Sequence, residues 1–319
     1  MPLITSPYIA KGLFKNPHFS TIYSAKLRPS PKLLQQRERM SLKDKDFLDL
    51  DWSFSEKPSN KVAILIHGLE GNAHRTYIKG AGRILKKGGY DVAAINLRGC
   101  SGEPNKMYCS YNAGKTDDLD EVIDFILKKD NYTEIALIGF SLGGNLILKY
   151  LGEREIVSEI IKKAVVVSTP LSLKGSLESL TKFSNKVYST SFLYDLKKKY
   201  KSKMNQFPEK INPSDLKKIK SLLDFDDIYT APAHGFKDAL DYYKKNSSEQ
   251  FLPAVKIPVL ILNAKNDTFL SKACYPYKLA ANSKNIYLET PKYGGHVGFH
   301  KTNTLYYSEK RTLAFLNEM

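Results

Sequence analysis

The stretch from Glu134 to Leu151, EIALIGFSLGGNLILKYL, decides how the rest of the chain is read. It opens with a short apolar run of strand type, reaches a serine flanked by glycines, and continues with Leu142, Leu146, Leu148, Tyr150 and Leu151 at helical spacing. The pattern Gly139-x-Ser141-x-Gly143 between a buried strand and a helix is a nucleophile elbow. A turn this sharp forces the serine into a strained backbone conformation. Side chains at positions 139 and 143 would strike the neighbouring chain, so glycine is needed there. The same turn lifts the Ser141 hydroxyl clear of the sheet and aims the first helical N–H groups at the space around it.

Upstream, Val62 to Ile66 (VAILI) reads as a strand buried on both faces and ends in His67-Gly68-Leu69-Glu70-Gly71-Asn72. A His-Gly after a central strand, ahead of the elbow, suits an oxyanion-binding loop. The backbone N–H of Leu69 is one candidate donor and that of Leu142 the second; His67 and Gly68 shape the loop, without proton transfer by His67. Between loop and elbow lie a helix from Tyr77 to Lys87, a strand from Val92 to Leu97, the turn-rich RGCSGEPN, and a helix with Thr116 as its expected N-cap. Phe47 to Phe54 (FLDLDWSF) alternates apolar and acidic residues as a half-buried strand does. Residues 1–40 carry only short apolar patches among prolines and polar residues.

Downstream, a strand from Ala164 to Ser168 is followed by a basic, helix-patterned segment from about 172 to 235, expected as a helical lid over the site. Its aromatics Phe183, Tyr188, Phe192, Tyr194 and Phe207 either line an acyl pocket or pack the lid itself. Pro258 to Asn263 (PVLILN) is a buried strand whose following loop holds Asp267, and Ile286 to Glu289 leads to Gly294-Gly295-His296. A serine nucleophile needs a base, and the base an orienting acid. Ser141, Asp267 and His296 stand in the order Ser, Asp, His, each on a loop after a strand. His300 is a weaker base candidate, His74 and His234 read as structural, and Asp238 and Asp241 read as surface charges on a helix. Strands alternating with helices predict a mainly parallel sheet with its ligand site at the carboxyl ends of the strands.

With 319 residues, 42% of them hydrophobic, the chain is long enough for one large core and reads as a single domain, 1–319. Three cysteines without C-x-x-C spacing argue against a disulfide framework, and no histidine pair has metal-ligand spacing. No dinucleotide or phosphate-loop motif is present, so neither metal nor cofactor is expected. No run reaches membrane-span length and the start MPLITSPYIAKGLF lacks signal-peptide character, so a cytoplasmic location is expected. The 49 Lys and Arg against 33 Asp and Glu give a net charge of +16. The dense run Lys197 to Lys203 has no nucleic-acid-binding motif around it and reads as a solvated helical face, with weak contact to an anionic membrane surface as the alternative.

Several motifs together, HGLEGN, RGCSGEPN, GKTDDL, GFSLGGN, SLLDFDDIYTAPAHGFKDALDYY, LNAKNDTF, GGHVGF and the early NPHFSTI, resemble the YheT-type branch of the α/β-hydrolases over nearly the whole chain. The resemblance implies an α/β-hydrolase fold and serine carboxylic-ester hydrolase chemistry, with Ser141, Asp267 and His296 matching the family triad. It implies acyl esters or lipids as substrates. The eukaryotic lipid-active members carry an N-terminal membrane anchor, and no such stretch stands in this sequence. Transfer of the acyl group to an alcohol instead of water, or a non-catalytic lipid-binding role on the same fold, are the alternatives.

Overall fold

The computed structural model describes residues 3–129 and 131–318. Nine strands are present among the described residues: β1 (Leu3–Ile4), β2 (Gln36–Ser41), β3 (Phe47–Ser53), β4 (Lys61–Ile66), β5 (Asp91–Asn96), β6 (Glu134–Phe140), β7 (Ile161–Val167), β8 (Val259–Leu262) and β9 (Ile286–Glu289). They form one sheet in the order β1-β9-β8-β7-β6-β4-β5-β3-β2. The neighbours from β1 to β5 in that order are parallel, and β3 runs antiparallel to both β5 and β2. The continuous apolar runs VAILI, DVAAI and EIALIGF occupy the middle because helices cover both faces of a parallel sheet. The architecture is the α/β-hydrolase fold, a mainly parallel sheet flanked by helices.

Pairing sets the site. β6 lies between β4 and β7, with Ile66 opposite Gly139 and Phe140 opposite Val167. The residues just past β4 and β6, His67 and Ser141, therefore emerge side by side. Between β7 and β8 the chain forms a run of helices, among them Leu173–Leu180, Lys186–Gln206 and Ala239–Asn246. Leu196, Tyr200, Ile211, Ile219, Leu222, Phe225 and Tyr229 build a small apolar cluster within this segment. It has a core of its own and does not rely on the sheet for all its burial.

Two expectations need correction. β3 is not half-buried: all seven of its residues are buried. Its acidic side is covered by β2, where Arg39 Nε meets Asp49 at 2.8 Å and Arg37 Nε meets Asp51 at 2.7 Å. Thr116 is the first residue of the helix Thr116–Leu127, not its cap, and its hydroxyl bonds Glu153. The first forty residues, read as short apolar patches among prolines and polar residues, carry β1, the helix Pro17–Ile22 and most of β2. β2 escaped notice because QRERMS is a charged edge strand, the composition that protects a sheet margin from further pairing.

The loop after β5 is anchored by Arg98, whose side chain is 1% exposed. Its guanidinium grips Asp118 with two bonds of 2.7 Å and reaches Asp46 at 3.0 Å and Asp44 at 2.6 Å. Asp46 and Asp118 are themselves buried, so removing the cation strands two carboxylates away from water. Arg98→Met is expected to lose about 3–5 kcal/mol of stability in urea unfolding, the cost of breaking a buried pair from one side. A midpoint equal to that of the unmodified protein would contradict it.

Candidate active site

Ser141 caps the helix Leu142–Glu153 with φ 53 and ψ −121, a left-handed conformation that a non-glycine residue adopts only under constraint. The constraint is local crowding. A Cβ on Gly139 would lie 2.6 Å from the Gly143 backbone, and one on Gly143 would lie 2.4 Å from the Ile66 carbonyl oxygen. His296 Nε2 stands 3.0 Å from Ser141 Oγ, and His296 Nδ1 stands 2.8 Å from Asp267 Oδ2. With Nδ1–H donated to the carboxylate, Nε2 is left to accept the serine proton. Asp267 is fixed in turn, since its Oδ1 accepts the Phe269 N–H at 2.9 Å.

The loop after β4 lies against this trio. A Cβ on Gly68 would meet the Ser141 Cβ at 3.0 Å, so only glycine lets the loop approach so closely. The flanking N–H groups are engaged, that of Gly68 to the Tyr77 hydroxyl at 3.2 Å and that of Glu70 to the Tyr111 hydroxyl at 2.8 Å. Those of Leu69 and Leu142 have no acceptor among the described residues.

An α/β-hydrolase family model matches residues 62–301. The chain belongs to the α/β-hydrolase family. YheT of Escherichia coli is 32% identical over 92% of this chain and 87% of its own length, which sets the chain in the YheT-type branch. The mouse phospholipase ABHD3 is 27% identical over 93% of this chain and 74% of that protein. A yeast monoacylglycerol lipase is 28% identical over 79% of this chain, which spans 57% of that relative. Among solved structures, the Pyrococcus furiosus esterase Pf2001 superposes with a TM-score of 0.58 at 17% identity, covering 98% of this chain and 97% of that one. This last likeness concerns the fold alone.

In this α/β-hydrolase two cavities meet at Ser141. One, about 140 Å³, has mostly apolar walls contributed by Leu142, Leu173, Leu177, Leu196 and Phe225. The other, about 290 Å³, runs between the helix Pro17–Ile22 and the helix Lys186–Gln206, past Ile22, Lys26, Val187 and Tyr188. Phe192, Phe269 and His296 border both. Of the aromatics expected at a pocket, Tyr188 lines the second cavity and Phe192 lines both. Phe183 and Tyr194 are 90% and 71% exposed, and Phe207 packs on Tyr108. The other histidines stay apart: His74 bonds Gln35, His234 sits in the insertion, and His300 stacks on Phe14 with ring centroids 3.7 Å apart. Asp238 caps the helix Ala239–Asn246, and Asp241 pairs with Lys245. Among the described residues no group of three or more His, Cys, Asp or Glu side chains is arranged to hold a metal ion, and no helix is long and apolar enough to cross a membrane.

The lysine run is not a solvated face throughout. Lys203 is buried and donates to the Asn105 carbonyl at 2.9 Å, and Lys199 pairs with Glu70 at 2.8 Å. Burial pulls the Lys203 pKa down to about 8. Sequence reading also missed the support of the histidine loop. Thr21 Oγ1 accepts the His296 N–H at 2.9 Å, Ser20 Oγ donates to the Gly294 carbonyl at 3.1 Å, and Ser24 Oγ donates to the Val297 carbonyl at 2.9 Å. A Cβ on Gly295 (φ 57) would lie 2.6 Å from the Pro17 carbonyl oxygen. The signal was NPHFSTI, which carried family likeness without stating what it touches.

His67 is fully buried, with Nδ1–H donated to the Gly68 carbonyl at 2.7 Å and Nε2 accepting the Leu97 N–H at 3.2 Å. Burial lowers its pKa from 6.5 to about 4, so it is neutral at pH 7 and acts as a brace for the loop. Below pH 6.5 the unfolded chain binds a proton here that the folded one does not. Stability is therefore lost as pH falls from about 6.5 to about 4, by on the order of 3 kcal/mol for this group. The stability gap between the unmodified protein and His67→Gln is expected to be widest at pH 7 and to shrink towards pH 4 in urea titrations. A constant gap would refute the assignment.

Proposed function

We propose that this chain is a serine carboxylic-ester hydrolase working through an acyl-enzyme. The observation that carries the reading is the unbroken chain from Asp267 through His296 to Ser141, at 2.8 and 3.0 Å. Ser141 Oγ attacks the ester carbonyl while His296 Nε2 takes its proton. The resulting oxyanion lies between the N–H groups of Leu69 and Leu142, and each such donor is worth about a hundredfold or more in rate. His296 passes the proton to the departing alcohol, then activates the water that releases the acid. Asp267 holds the tautomer and stabilises the imidazolium.

The names of the yeast and mouse relatives, a monoacylglycerol lipase and a phospholipase, support ester-linked acyl groups as the substrate class. Apolar walls and a modest volume favour short- to medium-chain acyl esters or related lipids over bulky polar ones. The helices between β7 and β8 serve as the lid in this reading. Three free cysteines suit a reducing cytoplasm.

Ser141→Ala is expected to remain folded and to lower kcat on nitrophenyl butyrate and decanoate by at least about a thousandfold. Normal turnover by that variant would refute the reading. Failure of a fluorophosphonate to label Ser141 would turn it towards a non-catalytic lipid-binding protein. Ethyl ester formed in added ethanol would make the acyl acceptor an alcohol as well as water.

A further inference from the structure

Glu70 follows the oxyanion donor Leu69 and sits at φ 50, in the left-handed region without being glycine. Its N–H donates to the Tyr111 hydroxyl at 2.8 Å, and that hydroxyl donates back to Glu70 Oε1 at 2.7 Å. The same carboxylate oxygen accepts from Lys199 Nζ at 2.8 Å. The ammonium also stands 4.5 Å from the centre of the Tyr111 ring and 3.3 Å from Cys100 Sγ. Arg75 Nη2 donates to the Glu70 carbonyl at 2.7 Å. The Lys199 and Glu70 side chains are only 12% and 10% exposed. Lys199 comes from the helix Lys186–Gln206 of the insertion, whereas Glu70 belongs to the loop after β4. All three of Glu70, Tyr111 and Lys199 border the cavity that holds Ser141 and His296.

A carboxylate this close to the reaction centre invites comparison with a general base. Its Oε1 nevertheless accepts from both Tyr111 and Lys199, and His296 already occupies the base position on Ser141. The bonds instead converge on one backbone segment. They hold a strained residue whose peptide plane carries the direction of the neighbouring N–H groups.

We propose that Lys199 and Tyr111 are positioning residues that clamp Glu70, and through it hold the Leu69 N–H where the oxyanion forms. The insertion is then part of the catalytic apparatus and not only a wall of the pocket. This rests on the acyl-enzyme reading given above. Without Lys199, the largely shielded Glu70 carboxylate loses its paired cation, the left-handed turn is held only by Tyr111 and Arg75, and the loop relaxes. A shift of about 1 Å in such a donor is enough to cost about a hundredfold in rate. Ground-state binding of the acyl chain does not depend on that N–H, so the loss falls on kcat.

The test uses the full chain and its variants K199M, E70Q, K199M/E70Q, K199R and Y111F on nitrophenyl butyrate. Binding of butylboronic acid is measured beside it, since that compound adds to Ser141 as a tetrahedral anion. K199M is expected to lose about ten- to a hundredfold in kcat, with KM held within about twofold. Boronate affinity should fall by the same factor as kcat. E70Q should match K199M, the double variant should be no worse than either, and K199R should recover part of the rate. A folded K199M with kcat unchanged, with its loss in KM alone, or with undiminished boronate affinity overturns the clamp. Should K199M not fold, Y111F, which removes a single hydroxyl, decides by the same criteria. An unmodified protein that turns over no ester overturns both the clamp and the ester-hydrolase reading, whereas an active one with indifferent variants overturns the clamp alone.

Discussion

The approach of the elbow helix to the end of β4 is the constraint on which the site depends. With no side chain on Gly143, its Cα can lie where a Cβ would stand 2.4 Å from the Ile66 oxygen and 2.7 Å from the His67 oxygen. Only at that separation does the helix begin beside the loop that carries Leu69. The cost is the left-handed backbone at Ser141. It is offset by ladder pairing on both sides of β6 and by the Ser141 N–H donating to the Val167 carbonyl at 2.9 Å. A loosened helix would carry Ser141 away from Leu69 and His296 at once. The strain at Ser141 and its place beside His296 are consequences of one packing decision.

Much of this was legible because parallel strands leave a strong signature. Each central strand is a continuous apolar run, and each site residue falls on the loop that follows one, so chain order translated directly into spatial order. The parts that stayed hidden are defined by partners distant in sequence. β3 alternates apolar and acidic residues, which predicts one wet face; nothing local announces that Arg37 and Arg39 lie across from Asp51 and Asp49. Thr21 and Ser20 look like ordinary helix residues. Their importance comes from carbonyl and N–H groups roughly 275 positions away, at His296 and Gly294.

The lysine run shows how composition misleads when spacing is ignored. Leu196, Tyr200 and Lys203 lie three to four residues apart, the stripe that a helix turns inward. A lysine on that stripe is required to find carbonyl oxygens or a carboxylate, because an ammonium buried without them is costly. Lys203 finds the carbonyls of Asn105 and Met107, and Lys199, beside the stripe, finds Glu70. Two of the run's cations thus pin the insertion to loops of the core, while Lys198 and Lys201 remain in solvent. Charge counts alone assign all of them to the surface.

The walls of the pocket and the Ser141–His296–Asp267 chain are also coupled. Phe269 borders both cavities and stacks on the His296 ring, with centroids 4.2 Å apart and planes 27° from parallel. Its N–H is the group that fixes Asp267 Oδ1. One residue therefore contacts His296 through its ring, orients Asp267 through its backbone and touches whatever fills the space around Ser141. Any ligand that displaces this ring disturbs the imidazole it rests on. On the proposed ester-hydrolase reading, selectivity for the acyl group then enters through proton transfer as well as through binding, because the surface that meets the substrate is the one that holds the histidine.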